Sequence, residues 1–294
     1  MRGQCIIGAL VAGLVWPAVA ADTRTSVPDF SGIWGRGTFD FEPIPSAPPP
    51  IANLYRLPSG SSDPTRPVGD YNNPILTPAA SAIVKQRSER ALQGKTFPDP
   101  STRCAPYPPP FVAAMQLALQ MLQTKDGITI LYNQDDQVRH VRLNGKHPDH
   151  VTPSWKGDSI GHYEGDTLVV DTVGIKTDAL AVVDRYGTPL GEGAHIVERY
   201  RIIDAADAKR AQELHEKEAG RLGGAMPPDE KYPKGLELQL TIENPAYFTK
   251  PLPVRVTYRR TILEWQEQVC SENADNQYAV AESPPIPKAE KPDF

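Results

Sequence analysis

The sequence predicts a mainly β protein: antiparallel strands curled into a barrel or a sandwich. From Gly127 onward at least six segments alternate apolar and polar residues with period two. Short turn signals such as Asn144-Gly145 and Glu164-Gly165 separate them. No strand-helix-strand alternation of the kind a parallel sheet needs runs through this half of the chain.

The 294-residue chain opens with Arg2, an apolar run from Cys5 to Trp16, then Pro17 and Ala18, Val19, Ala20, Ala21. A charged start, a short apolar run and an A-x-A site read as a secretory signal peptide over residues 1–21. The run is too short to span a bilayer, so the mature protein is expected to be periplasmic or secreted, with no membrane insertion after cleavage. Cys5 lies inside the signal, in an Arg-Gly-Gln-Cys context that lacks the small apolar residues preceding a lipidated cysteine.

Residues 22–282 are expected to form one domain. Gly32-Ile33-Trp34 marks a first strand with a large anchor residue, and a proline-rich arm follows over 43–110, drawing on most of a proline content of 31. Thr77 as N-cap, Pro78 at the first position and Gly94 as the stop predict a helix from Thr77 to Gly94. Met115, Leu119 and Leu122 recur at helical spacing and predict a second, buried helix over Phe111–Gln123. The strands then read "ITILY", "QVRHVRL", "DTLVVDTVG", "AHIVERYRIID", "LELQLTIEN" and "VRVTYRRTILEWQEQV". Leu236, Leu238, Leu240 and Ile242 share one face of the fifth. Asp204 can cap a helix through "AADAKRAQELHEKEAGRL", charged nearly all round, which predicts a solvent-exposed excursion over 204–235. Residues 283–294 are expected to be a disordered tail.

A net charge of -5, no basic stripe and few aromatics exclude nucleic acid and anionic membranes as natural partners. The sequence leaves the oligomeric state open. Cys104 and Cys270 remain after the signal is removed, in a compartment that permits disulfides, and are expected to pair; the alternative is two buried thiols.

The densest chemistry lies in "WKGDSIGHYEGDTLVVDTVG", Trp155 to Gly174. Gly157-Asp158-Ser159-Ile160-Gly161 matches G-x-S-x-G, but a nucleophile elbow needs a strand before it and a helix after it, and here a strand follows. A hairpin turning at Glu164-Gly165 fits better, with Glu164 and Asp166 structural. His147-Pro148-Asp149-His150 has H-x-x-H spacing, but the proline excludes the regular helix that would place both rings on one face. No metal and no cofactor is expected.

Two resemblances add to this. Gly32-Ile33-Trp34 looks like the G-x-W of lipocalin-like barrels, where the tryptophan closes the barrel base under a late-strand arginine, here Arg259 or Arg260. It implies a lipocalin-like antiparallel barrel carrying the proline-rich arm and a few peripheral helices. The chain from about Pro28 to Asn273 also resembles a widespread group of exported bacterial proteins. It carries Asp29-Phe30-Ser31-Gly32-Ile33-Trp34, Cys104-Ala105-Pro106, Gly145-Lys146-His147-Pro148, the Trp155 to Gly174 stretch with Tyr163 where the group has tryptophan, His195 with Glu198-Arg199, and Glu267 to Asn273 around Cys270. That resemblance implies export but brings no activity with it.

The leading expectation is a barrel whose cavity holds a small, partly apolar organic molecule, contacted by His147, Arg139, Arg199, Trp155 and Tyr163. The alternative is a metal-independent acid-base enzyme (lyase, isomerase or hydrolase) working in the same cavity. There His162 or His195 would be general base, Asp171 would orient it and an arginine would steady developing negative charge.

Overall fold

A computed structural model describes residues 27–95, 100, 103–221, 226–268 and 270. The expected signal peptide, the tail over 283–294, and Glu272 and Asn273 lie outside these. Nine strands close into a barrel in sequence order: β1 (Gly32–Gly35), β2 (Leu119–Gln123), β3 (Gly127–Tyr132), β4 (Gln137–Leu143), β5 (Asp158–Glu164), β6 (Thr167–Val173), β7 (His195–Asp204), β8 (Lys234–Glu243) and β9 (Leu252–Arg260). β9 pairs back onto β1, which removes the open edges of the sheet. Every pairing is antiparallel except β4 with β5, whose short parallel ladder joins Arg142 to Ile160 and Leu143 to Gly161.

Period two decides what fills the lumen. Leu236, Leu238, Leu240 and Ile242 all point inward and are fully buried, as do Leu168, Val170, Val254 and Val256 on neighbouring strands. Each such side chain contributes roughly 1.5–3 kcal/mol by leaving water. Trp34 closes one end: its indole Nε1 donates to Phe30 O at 3.0 Å, and the Arg260 guanidinium lies 5.2 Å above its ring and donates to Ser31 O. This is the tryptophan-arginine closure of the lipocalin-like pattern, with Arg260 supplying the cation. It also accounts for Gly32, whose φ is +130° and where a Cβ would fall 1.9 Å from the Arg260 Cζ. The opposite end is covered by the arm and a short helix, α1 being the longer one (Pro78–Leu92) and α2 the short one (Pro109–Ala113). There Tyr107 stacks on Phe111 at 5.4 Å, and the Tyr258 hydroxyl donates to Ala113 O at 2.6 Å. The recess left among Val112, Met115, Leu119, Tyr132 and Tyr258 measures about 10 Å³, room for roughly one water.

α1 forms as expected, with Thr77 Oγ1 accepting from Ala80 N. The predicted helix over Phe111–Gln123 does not. Only α2 and a turn form, and β2 follows. Leu119 and Met121 face the lumen while Gln120 and Leu122 face out. The exposed Leu122, 43% accessible, made a period-two strand read as a helical stripe. The hairpin turn sits one residue later than expected, on Gly165-Asp166, where Gly165 takes φ +62°.

α3 (Ala205–Ala219) is less of an excursion than its charge suggests. Ala208, Gln212, His215 and Ala219 line a buried face against β8 and β9. Gln212 Nε2 donates to Gly35 O and Thr257 O. Cys104 and Cys270 are joined in a disulfide that ties the arm to the segment after β9. Among the described residues no helix is long and apolar enough to cross a membrane.

Candidate functional site

Alternation along the strands sorts the candidate residues into two sets. Arg139 on β4 points into the lumen and is fully buried. Its Nη1 and Nη2 donate to the two oxygens of Glu198 on β7, Nη2 also to Thr172 Oγ1 at 2.7 Å, and Nε to Ser159 Oγ at 3.1 Å. The Tyr200 hydroxyl completes the set by donating to Glu198 Oε1. Burial works most strongly against the charge on Arg139, but Glu198, Tyr132 and Tyr200 together outweigh it and the guanidinium stays charged. Ser159, the serine of the G-x-S-x-G match, is consumed here as a buried partner. Arg139 is thus held in a buried network in which Glu198, Thr172 and Ser159 take its hydrogen bonds.

The second set faces outward. Asp171 in the middle of β6 holds two histidines from different parts of the chain. Its Oδ1 lies 3.0 Å from His147 Nε2, and its Oδ2 lies 3.0 Å from His195 Nε2. His147 comes from the 144–157 loop that carries the chain back to start β5, and its Nδ1 lies 2.6 Å from Asp158 Oδ1. His195 opens β7, directly across from Glu243 at the end of β8, with Nδ1 3.4 Å from Glu243 Oε2. The result is an alternating row, Asp158, His147, Asp171, His195, Glu243, laid across four strands. Arg142 anchors its first member with two hydrogen bonds, 2.7 and 2.9 Å, to Asp158.

Each pKa direction has a plain cause. The Arg142 hydrogen bonds hold Asp158 below the usual carboxylate range, against a smaller effect of burial, and His147 adds to them. Partial burial pushes Asp171 up, but the hydrogen bonds from His195 and His147 outweigh it and bring it down. Partial burial likewise pulls His195 down, and its bonds and charge interactions with Asp171 and Glu243 more than reverse this. A ring flanked by carboxylates at both nitrogens donates to both only as imidazolium. The row is therefore a set of neighbouring proton donors and acceptors, about one third exposed at Asp171 and His195.

The other expected residues lie elsewhere. His162 and Arg199 also face out, but both sit opposite Val169, one outward step (about 7 Å) along the sheet from Asp171. There they share Glu164, at 3.1 Å from His162 Nε2 and 2.7 Å from Arg199 Nη1. Tyr163 points inward near the Trp34 end, where it accepts from Gln123 Nε2 and stacks on Phe30. Trp155 lies under the Lys176 ammonium at 4.9 Å. On the outer wall, then, His147, Asp171 and His195 of the expected residues come together with Asp158, Glu243 and Arg142, while Arg139 and Tyr163 face the lumen. Among the described residues no group of three or more His, Cys, Asp or Glu side chains is arranged to hold a metal ion. Searches among protein families, curated proteins and solved structures found no match to the chain.

Proposed function

We propose that this is an exported acid-base protein whose working surface is the outer wall of the barrel, an enzyme moving a proton on a small polar organic molecule at His195. The observation that carries this reading is the carboxylate of Asp171, held by two imidazole Nε2 atoms at 3.0 Å each. Asp171 orients His195 and favours its protonated form, which strengthens the neutral ring as a base. The weakest link in the row is the 3.4 Å contact of His195 Nδ1 with Glu243, itself the more exposed partner. A substrate enters there, displacing the Glu243 carboxylate and placing its acidic hydrogen on Nδ1. The proton then rests on a ring already held by Asp171, with His147 and Asp158 behind it. Export is supported by the signal-like start and by the Cys104–Cys270 disulfide.

The test is a panel of esters, lactones and enolisable ketones assayed from pH 5 to 9 with the wild type, His195→Ala and Asp171→Asn. A substrate whose kcat/KM falls by roughly 10²–10⁴ in His195→Ala, with the circular dichroism spectrum unchanged, is the expected result. No turnover of any class, or equal turnover by His195→Ala, overturns the reading.

A further inference from the structure

Lys156 lies two residues before Asp158, beside the stretch where β4 and β5 have not yet paired; their ladder starts only at Arg142 and Ile160. Its Nζ lies 2.6 Å from Tyr107 O and 2.6 Å from Gln137 Oε1, and 4.9 Å from the centre of the Tyr132 ring. Both hydrogen-bonding oxygens are uncharged. Lys85, Lys125, Lys176 and Lys209, by contrast, each pair with a carboxylate on the surface. The neighbouring charge at Lys156 is the Arg139 cation, and the Glu198 carboxylate is already engaged by that arginine.

A neutral amine has two N–H bonds and one lone pair. Deprotonated Lys156 keeps both of its hydrogen bonds and directs the lone pair away from them. Partial burial without a carboxylate, next to a second cation, is the environment that turns a lysine into a nucleophile. We propose that Lys156 is a reactive amine site that condenses with a small aldehyde. The lone pair attacks the carbonyl carbon and the carbonyl oxygen takes a proton, giving a carbinolamine. That hydroxyl takes a second proton and leaves as water while nitrogen releases its hydrogen, so amine plus aldehyde gives imine plus one water. The close approach of Tyr107 O, Gln137 Oε1 and the Tyr132 ring around the amine favours a small aldehyde of one or two carbons. Burial first, and the Arg139 charge second, bring the Lys156 pKa down to about 7. A large share of the amine is then free at neutral pH, where an ordinary lysine is almost wholly protonated.

The experiment is reductive alkylation of the intact protein with limiting acetaldehyde and cyanoborohydride at pH 7, the imine being reduced to a stable ethylamine and mapped by peptide mass spectrometry. Lys156 should be modified at least about tenfold faster than Lys85, Lys125 or Lys209, and the advantage should shrink at pH 10 as the exposed amines lose their protons. Lys156→Arg should abolish the fast site and leave the slow ones unchanged. Modification of Lys156 no faster than the exposed lysines overturns the proposal, and that comparison is made in the wild type, so it stands even where the variant folds poorly. The labelling does not involve Asp171 or His195, so its failure and a failure of the outer-wall reading are separate results.

Discussion

The barrel uses one pair of residue types, an acid against a nitrogen base, in two places with opposite results. Inside, Arg139 and Glu198 are both about 1% exposed and meet in a fork whose remaining groups go to Ser159, Thr172 and Tyr200. Outside, across the same strands, Asp171 stands one residue away in sequence from lumen-facing Thr172 and Val170, yet it and its two histidines remain partly open to solvent. Burial separates the roles. A buried pair is locked, because losing either partner strands a charge in low dielectric. A half-exposed pair contributes little to stability and is free to exchange protons.

The largest effect should come from breaking the inner pair. Arg139→Met leaves Glu198 charged and buried with the Tyr200 hydroxyl and should cost about 3–5 kcal/mol, read as a drop in the urea midpoint. Arg139→Met with Glu198→Leu removes both charges and should recover most of that loss. A double variant as unstable as the single one would show that the cost lies in lost packing, and the contrast between the two faces would fail.

A second buried acid sharpens the point from the other side. Asp184, in the loop after β6, is 3% exposed, accepts from Tyr186 N and Thr188 N, and has no cation in its hydrogen-bond set. Burial, with Asp40 adding repulsion against the bonds from Thr188 and Tyr186, raises its pKa from 3.8 to about 6. For an acid with a raised pKa the folded state binds its proton more tightly than the unfolded state. The cost therefore builds as pH rises from about 4 to 6 and stays constant above. Asp184→Asn keeps the carbonyl oxygen that accepts both amides and should stabilise the protein by about 2 kcal/mol at pH 7 and not at pH 4. Equal midpoints at pH 7 would place the Asp184 charge in a more solvated setting than its burial implies.

Much of the barrel was legible because period two is a direct record of an inside and an outside. The run Leu236, Leu238, Leu240, Ile242 has one physical solution, and Thr77-Pro78 announces α1 through its cap. Where an outward position is itself apolar, as at Leu122, the record is corrupted and β2 reads as helix. The parallel step from β4 to β5 left no local mark, since its two strands look like any others. The outer row was half legible. His147, Asp171 and His195 stand out by residue type, but that they meet outside the barrel depends on register. Asp158 and Glu243 join only because the 144–157 loop brings His147 over the wall and β8 sets Glu243 across from His195. Residue type names candidates; pairing across strands decides which of them touch.

The smallest effect on stability, and the most informative about the outer wall, should come from Asp171→Asn. The raised His195 pKa contributes stability that is fully present below its unfolded value of 6.5 and is lost as pH rises through the folded value. The lowered Asp171 pKa contributes stability present above 3.8 and lost as pH falls through its folded value. The two overlap between about pH 4 and 6.5, and because both groups are about one third exposed the sum there should stay below about 1 kcal/mol. Replacing the carboxylate with an amide removes the charge that favours the imidazolium while leaving the side chain's size, so the His195 titration followed by proton NMR should move to lower pH, with a loss of stability at pH 8 below about 1 kcal/mol. A His195 titration that does not move would mean that Glu243 alone holds the ring. A large loss of stability at pH 8 would mean that the row is a clasp tying β5 to β8 together, and the outer wall would then belong with Arg139 and Glu198 as structure.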